Sequence, residues 1–85
     1  MTRFDVSWTD DAEQDLAAFW LAVSDRQAIT AAEARLTDLL SRDPLTCGAA
    51  LAEGLRCLTE PPLVVVYSVD VSKRKVEVSG VGLTS

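Results

Sequence analysis

The sequence predicts an α+β fold in the order β-α-α-β-β-β, with a helical hairpin on one face of a small, mainly antiparallel sheet. Three observations carry this. Residues 55–81, LRCLTEPPLVVVYSVDVSKRKVEVSGV, read as a strand, a proline kink, a strongly apolar strand, a charged turn and a last strand. Residues 3–8 alternate polar and apolar with period two, as a half-buried strand does. Between them, residues 10–42 carry apolar side chains at helical spacing. Eighty-five residues fit one domain, 1–85, with a correspondingly small core.

In the first strand Phe4, Val6 and Trp8 point one way and Arg3, Asp5 and Ser7 the other, so one side of the sheet is open or meets a partner. The sequence leaves the direction of this strand in the sheet open. Thr9 caps the first helix, and Asp10 and Asp11 fall in its first turn, where the helix dipole favours anions. Ala12, Leu16, Phe19, Trp20 and Val23 form its inward stripe. Ser24 and Gln27 make a capping-box pattern, which starts the second helix at Asp25 and makes the two helices antiparallel neighbours. That helix turns Ile29, Ala32, Leu36, Leu39 and Leu40 inward. Ala28, Ala31 and Ala34 are small enough for a close helix approach, and Glu33, Arg35 and Asp38 face water. It ends at 41–43, before Pro44.

Residues 43–54 read as a long loop in which Ala49–Glu53 could make one helical turn between Gly48 and Gly54. Leu55, Cys57 and Thr59 then alternate with Arg56, Leu58 and Glu60. Pro61 and Pro62 cannot donate to a ladder and mark a turn or an edge. Leu63–Val69 is nearly all apolar, as in a strand covered on both faces or at the centre of a sheet. Asp70–Lys73 makes the turn. From Arg74, Val76 and Val78 point inward and Lys75, Glu77 and Ser79 outward. Gly82–Ser85 reads as a frayed end.

Composition narrows the function. A net charge of −5 gains nothing from counterion release at phosphates, so nucleic-acid binding is disfavoured. The basic run Lys73-Arg74-Lys75 is too short to serve as a nucleic-acid footprint. Two cysteines, no visible signal peptide and no apolar run long enough for a membrane predict a cytoplasmic protein with reduced thiols. Histidine is absent, and the acidic cluster Asp10–Asp15 reads as a solvated helix face rather than a metal site. No cofactor and no metal are expected. Cys47 has no histidine to activate it and reads as a small, partly buried residue. Tyr67, inside the apolar strand, reads as a core tyrosine with a satisfied hydroxyl.

The order of short motifs resembles the RelE/ParE toxin superfamily of type II toxin–antitoxin systems. The motifs are Phe4-x-Val6-x-Trp8-Thr9 with Ala12-Glu13-x-Asp15-Leu16; Leu40-x-x-Asp43-Pro44-x-x-x-Gly48; Gly54-Leu55-Arg56-x-Leu58; Val66-Tyr67-x-Val69-Asp70; and Val76-x-Val78-x-Gly80-Val81. The match spans nearly the whole chain. The resemblance implies a small bacterial toxin, of the kind tied to plasmid stabilisation, that an antitoxin wraps and neutralises. One branch of the superfamily cuts messenger RNA with arginines, lysines and a tyrosine or histidine; the other inhibits DNA gyrase. RNA cleavage by 2′-OH attack needs a proton acceptor, a proton donor and cations. Here the strand-arginine position falls at Leu63–Val64, and the basic C-terminal segment is replaced by Gly-Leu-Thr-Ser.

The expectation is therefore a toxin that binds a protein target, DNA gyrase or another, through protein–protein interaction. The alternatives are a degenerate, non-toxic interaction module or self-dimer, and an atypical endonuclease using Arg56, Arg74 and Lys75. Arg56 is the single catalytic candidate. It reads either as a phosphate or partner contact or as an exposed strand residue paired with Glu60 or Glu77. The expected partner-binding residues are Arg56, Arg74, Lys75 and Glu77.

Overall fold

The computed structural model describes residues 3–84. Its elements are β1 (Asp5–Trp8), α1 (Asp10–Ala22), α2 (Arg26–Arg42), β2 (Ala49–Ala52), β3 (Leu55–Glu60), β4 (Leu63–Asp70) and β5 (Lys75–Leu83). One sheet has the order β1-β5-β4-β3-β2, in which β1 runs parallel to β5 and every other pair is antiparallel. The α+β fold and the helix-covered sheet stand as expected, with five strands rather than four.

The fifth strand is β2. Ala49–Ala52 was expected to form a loop or a helical turn, and it pairs instead with β3. All four of its residues are exposed, so neither side-chain burial nor β-propensity selects the strand. It is held by the ladder that β3 offers and by a two-residue turn in which Gly54 takes φ +77°, a left-handed conformation that glycine adopts freely.

Both helices are capped by side chains. Thr9 accepts from the Ala12 N–H at 3.2 Å, as expected. At α2 the cap is Asp25, which accepts from the Ala28 N–H at 3.1 Å, and not Ser24. A carboxylate at that position also complements the helix dipole, which a serine hydroxyl does not. Asp25→Ala is expected to cost about 1 kcal/mol in urea unfolding.

From α2, Ile29, Ala32, Leu36 and Leu40 are fully buried and Leu39 half-buried. They meet Leu58 on β3, Leu63, Val65 and Tyr67 on β4, and Val76 and Val78 on β5. Two expected helix contacts differ. Ala31 and Ala34 face solvent, because the stripe through Ala32 and Leu36 points at the sheet and not at α1. Trp20 is 39% exposed, with the Arg26 guanidinium 5.8 Å from its ring centroid. Arg26 Nε also donates to the Trp20 carbonyl at 3.1 Å.

β4 is the central strand, one of its two expected settings. Only one of its faces is covered: Leu63, Val65 and Tyr67 are buried, while Val64, Val66 and Ser68 are half-buried. Pro61 and Pro62 form the β3–β4 turn, joined by a cis peptide bond. In β5 the pairing register shifts at Ser79, which stands opposite no β4 residue. This bulge resets the alternation. Val81, paired with Val65, joins the helix-covered face, and Gly80 and Gly82, paired with Val66 and Val64, go to the open face. Strand β5 also continues through Gly82 and Leu83, and the Thr84 N–H donates to the Pro62 carbonyl at 2.8 Å, so the expected fraying does not reach these residues. Ser85 lies outside the described residues.

Candidate functional site

The open face of the sheet has two halves. At one end Ser7, Ser68, Asp70, Lys73, Lys75 and Glu77 line a shallow polar hollow. Lys75 and Glu77 are two apart on β5 and so share this face, with Ser7 of β1 opposite Glu77. At the other end the face is made by Val64, Val66, Cys57 and Thr59 with Gly80 and Gly82. Among the described residues, that half presents no charged side chain.

The turn beside the polar end is held by Asp70, whose carboxylate accepts from the Ser72 hydroxyl at 2.8 Å and the Lys73 N–H at 3.1 Å. These two hydrogen bonds hold the Asp70 carboxyl below its ordinary range. Arg74 closes the turn at φ +53°. A left-handed L-residue costs roughly 1–2 kcal/mol, and glycine's extra freedom in the unfolded chain costs roughly 0.5–1 kcal/mol. Arg74→Gly is therefore expected to raise stability by about 0.5 kcal/mol, read as a higher urea midpoint.

Arg56 lies elsewhere. It pairs with Tyr67, so it shares the helix-covered face with Leu58 and turns away from Lys75 and Glu77. Its Nη2 donates to the Leu45 carbonyl at 2.8 Å and the Gly48 carbonyl at 2.9 Å, and its Nε is buried without an acceptor. Neither expected ion pair forms: Glu60 takes Arg35 of α2 at 2.6 Å, and Glu77 is on the other face. Arg56 thus clasps the loop between α2 and β2 against the sheet.

Tyr67 closes the same clasp. It is fully buried, and its hydroxyl donates to the Pro44 carbonyl at 2.7 Å, which is the core role expected for it. Burial pushes both the Tyr67 phenol and the neighbouring Cys47 thiol above their ordinary values. For Cys47 this disfavours the thiolate that a nucleophile would need. Gly48 passes so close that an added Cβ would overlap the Tyr67 hydroxyl and sit 2.6 Å from the Cys57 carbonyl.

Of the four expected partner-binding residues, the fold brings Lys75 and Glu77 together, sets Arg74 in the adjoining turn and separates Arg56 from all three. The loop clasp was not legible in the sequence. Its one signal is the spacing of Pro44 and Gly48, which does not name Arg56 or Tyr67 as their partners. Among the described residues, no three His, Cys, Asp or Glu side chains converge as a metal-ligand set. No helix there is long and apolar enough to cross a membrane.

No protein-family model and no curated protein matches the sequence. Solved structures do match the fold. A chain of the RelBE2 toxin–antitoxin complex from Mycobacterium tuberculosis superposes with a TM-score of 0.81 at 22% identity, over 98% of this chain and 93% of that one. A chain of the chromosomal ParDE system from P. aeruginosa gives 0.75 at 16% identity, over 96% and 97%. The isolated RelE toxin of E. coli gives 0.68 at 14%, over 96% and 85%. The chain has the RelE/ParE toxin fold.

Proposed function

We propose that this chain is the toxin of a type II toxin–antitoxin pair in the bacterial cytoplasm, neutralised by a cognate antitoxin, and that it acts by binding a protein target. The fold supports the toxin role, since the structures it resembles come from RelBE and ParDE systems and an isolated RelE toxin. Fold alone does not select a chemistry. The observation that favours binding over RNA cleavage is the placement of Arg56. The cation that would steady a phosphorane is spent on two loop carbonyls, and the centre of the open face is valine and glycine. Lys75 at the polar end is flanked by Glu77 and Asp70, which offset its charge toward a phosphate. Arg74, Lys75 and Glu77 remain the surface proposed to meet the target, which would be DNA gyrase or another protein.

Induced expression, with and without the gene next to it, tests this reading. The expected result is growth arrest with intact transcripts, relieved when the neighbouring gene is co-expressed, and with an SOS response if gyrase is the target. Cleaved transcripts would replace the binding mechanism with the nuclease one. A soluble, well-expressed protein with no effect on growth would leave the non-toxic interaction module.

A further inference from the structure

Two carbonyls orient Arg56 but do not neutralise it. Both hydrogen bonds leave from Nη2 and go to the carbonyls of Leu45 and Gly48. Its Nε is sealed in the protein without an acceptor. The ion pairs among the described residues are Arg35–Glu60 and Arg42–Asp38, so no carboxylate there answers the guanidinium. Asp43, on the loop that Arg56 holds, is engaged with the Thr46 hydroxyl. A half-buried cation with two dipoles and no counterion is an incomplete arrangement, since removing a charge from water is costly until an opposite charge meets it.

The same guanidinium lines a recess of about 260 Å³. The strand register places it. Ala50 pairs with Arg56, Arg56 pairs with Tyr67, and Val69 lies two residues beyond Tyr67, so all of them share the helix-covered side of the sheet. At this end the α2–β2 loop, and not a helix, stands over the strands, and its Leu45 is 46% exposed. Leu45, Leu55, Val69, Ala50 and Ala52 supply apolar walls. Among the described residues, Arg56 is the one charged side chain in the lining.

The charge and the walls together select a ligand class. An unanswered guanidinium favours an anion, and a carboxylate matches its donor edge. The walls favour an aliphatic tail on that carboxylate. A bare phosphate would leave the walls wet, and an alcohol with the same tail would leave the charge unanswered. The recess is smaller than the pockets of drug-sized ligands, which start at roughly 300 Å³, so it suits a short chain. No side chain in the lining is suited to take or give a proton, so the recess holds an anion without acting on it.

We infer that the recess between the α2–β2 loop and strands β2 to β4 binds an aliphatic carboxylate. Arg56 pairs with the anion, and Leu45, Leu55 and Val69 enclose the tail. Such a carboxylate has two sources, a free short-chain acid and an apolar C-terminal residue of another polypeptide. The inference stands apart from the toxin reading, because binding is measured on the purified chain without any growth effect.

The test is an NMR titration of the isotope-labelled full chain, in which the Arg56 Nε–H gives a direct signal. Octanoate is expected to shift that signal together with the amides of Leu45, Ala50, Leu55 and Val69. It is expected to bind at least about tenfold more tightly than octanol or inorganic phosphate. An N-acetylated peptide ending in Leu-Leu, with a free or an amidated C-terminus, separates the sources. Binding of the free-acid peptide but not the amide assigns a polypeptide C-terminus, and binding of octanoate without either peptide assigns the free acid. Ala50→Glu sets a carboxylate across the ladder from Arg56, and its spectrum reports whether the fold is kept. This variant is expected to bind octanoate at least about tenfold more weakly than Ala50→Gln, which is similar in size and neutral. Octanoate bound no better than octanol, phosphate bound as tightly as octanoate, shifts confined to other parts of the chain, or equal binding by the two Ala50 variants would overturn the inference. So would the absence of binding by both octanoate and the free-acid peptide.

Discussion

Gly48→Ala is expected to lower stability by about 3 kcal/mol, through overpacking and loss of the Tyr67 hydrogen bond. At an 85-residue size that is a fall in Tm on the order of 10–20 °C. The physical cause is space and not backbone conformation. An added methyl would overlap the Tyr67 hydroxyl and press the Cys57 carbonyl, which is fixed in the β3 ladder. Tyr67 cannot swing aside, since it is fully buried and its hydroxyl is held by Pro44. The comparison is Gly80→Ala. There the new Cβ meets Val66 at 3.7 Å, an ordinary van der Waals contact, and the expected change is within about 0.5 kcal/mol. Urea unfolding of the two variants side by side checks the prediction. Equal losses would mean that the loop gives way where the packing says it cannot.

Arg56→Ala is expected to cost about 2 kcal/mol, because it removes two charge-assisted hydrogen bonds and strips the cover from the Gly48 carbonyl. The buried Nε without an acceptor makes the arginine less than fully satisfied, which keeps the loss below that of Gly48→Ala. Arg56→Lys is expected to recover part of it, since both bonds come from the one nitrogen Nη2 and an ammonium carries enough donors to replace them, on a shorter reach. This bears on any growth assay. An Arg56→Ala variant that loses its effect on cells must be matched for soluble, folded protein before the loss is assigned to a site. Lys75→Ala, at an exposed open-face position, separates the two explanations.

The parts of the fold that were legible in the sequence are those where burial dictates periodicity. Ile29, Ala32, Leu36 and Leu40 repeat at helical spacing because one face of α2 meets the sheet, and Val76 and Val78 alternate because β5 is covered on one side. Three features were hidden for physical reasons. Strand β2 is Ala-Ala-Leu-Ala, exposed throughout, and exists through backbone pairing that no side chain advertises. The bulge at Ser79 turns Val81 inward and the glycines outward, and a change of register leaves no mark in a Val-Gly-Ser run. Arg56 alternates as an exposed strand residue should, and only the path of a loop from α2 shows what it holds. The site was legible only where turn chemistry wrote it, at Asp70 to Lys75.

The pairing of β1 with β5 has a consequence for how the molecule comes into being. Ser7 and Val76, neighbours in the parallel ladder, stand 69 residues apart in the chain. Such a contact cannot form until the last strand exists, and closing so long a loop slows folding. During synthesis the first strand and both helices leave the ribosome with their sheet partner still unmade. Trp8 and the inward face of α1, which packs on β5, then wait uncovered until residues 75–83 arrive. The nascent chain thus passes through an interval in which its apolar surfaces are open to whatever protein is at hand, before the finished sheet closes over them.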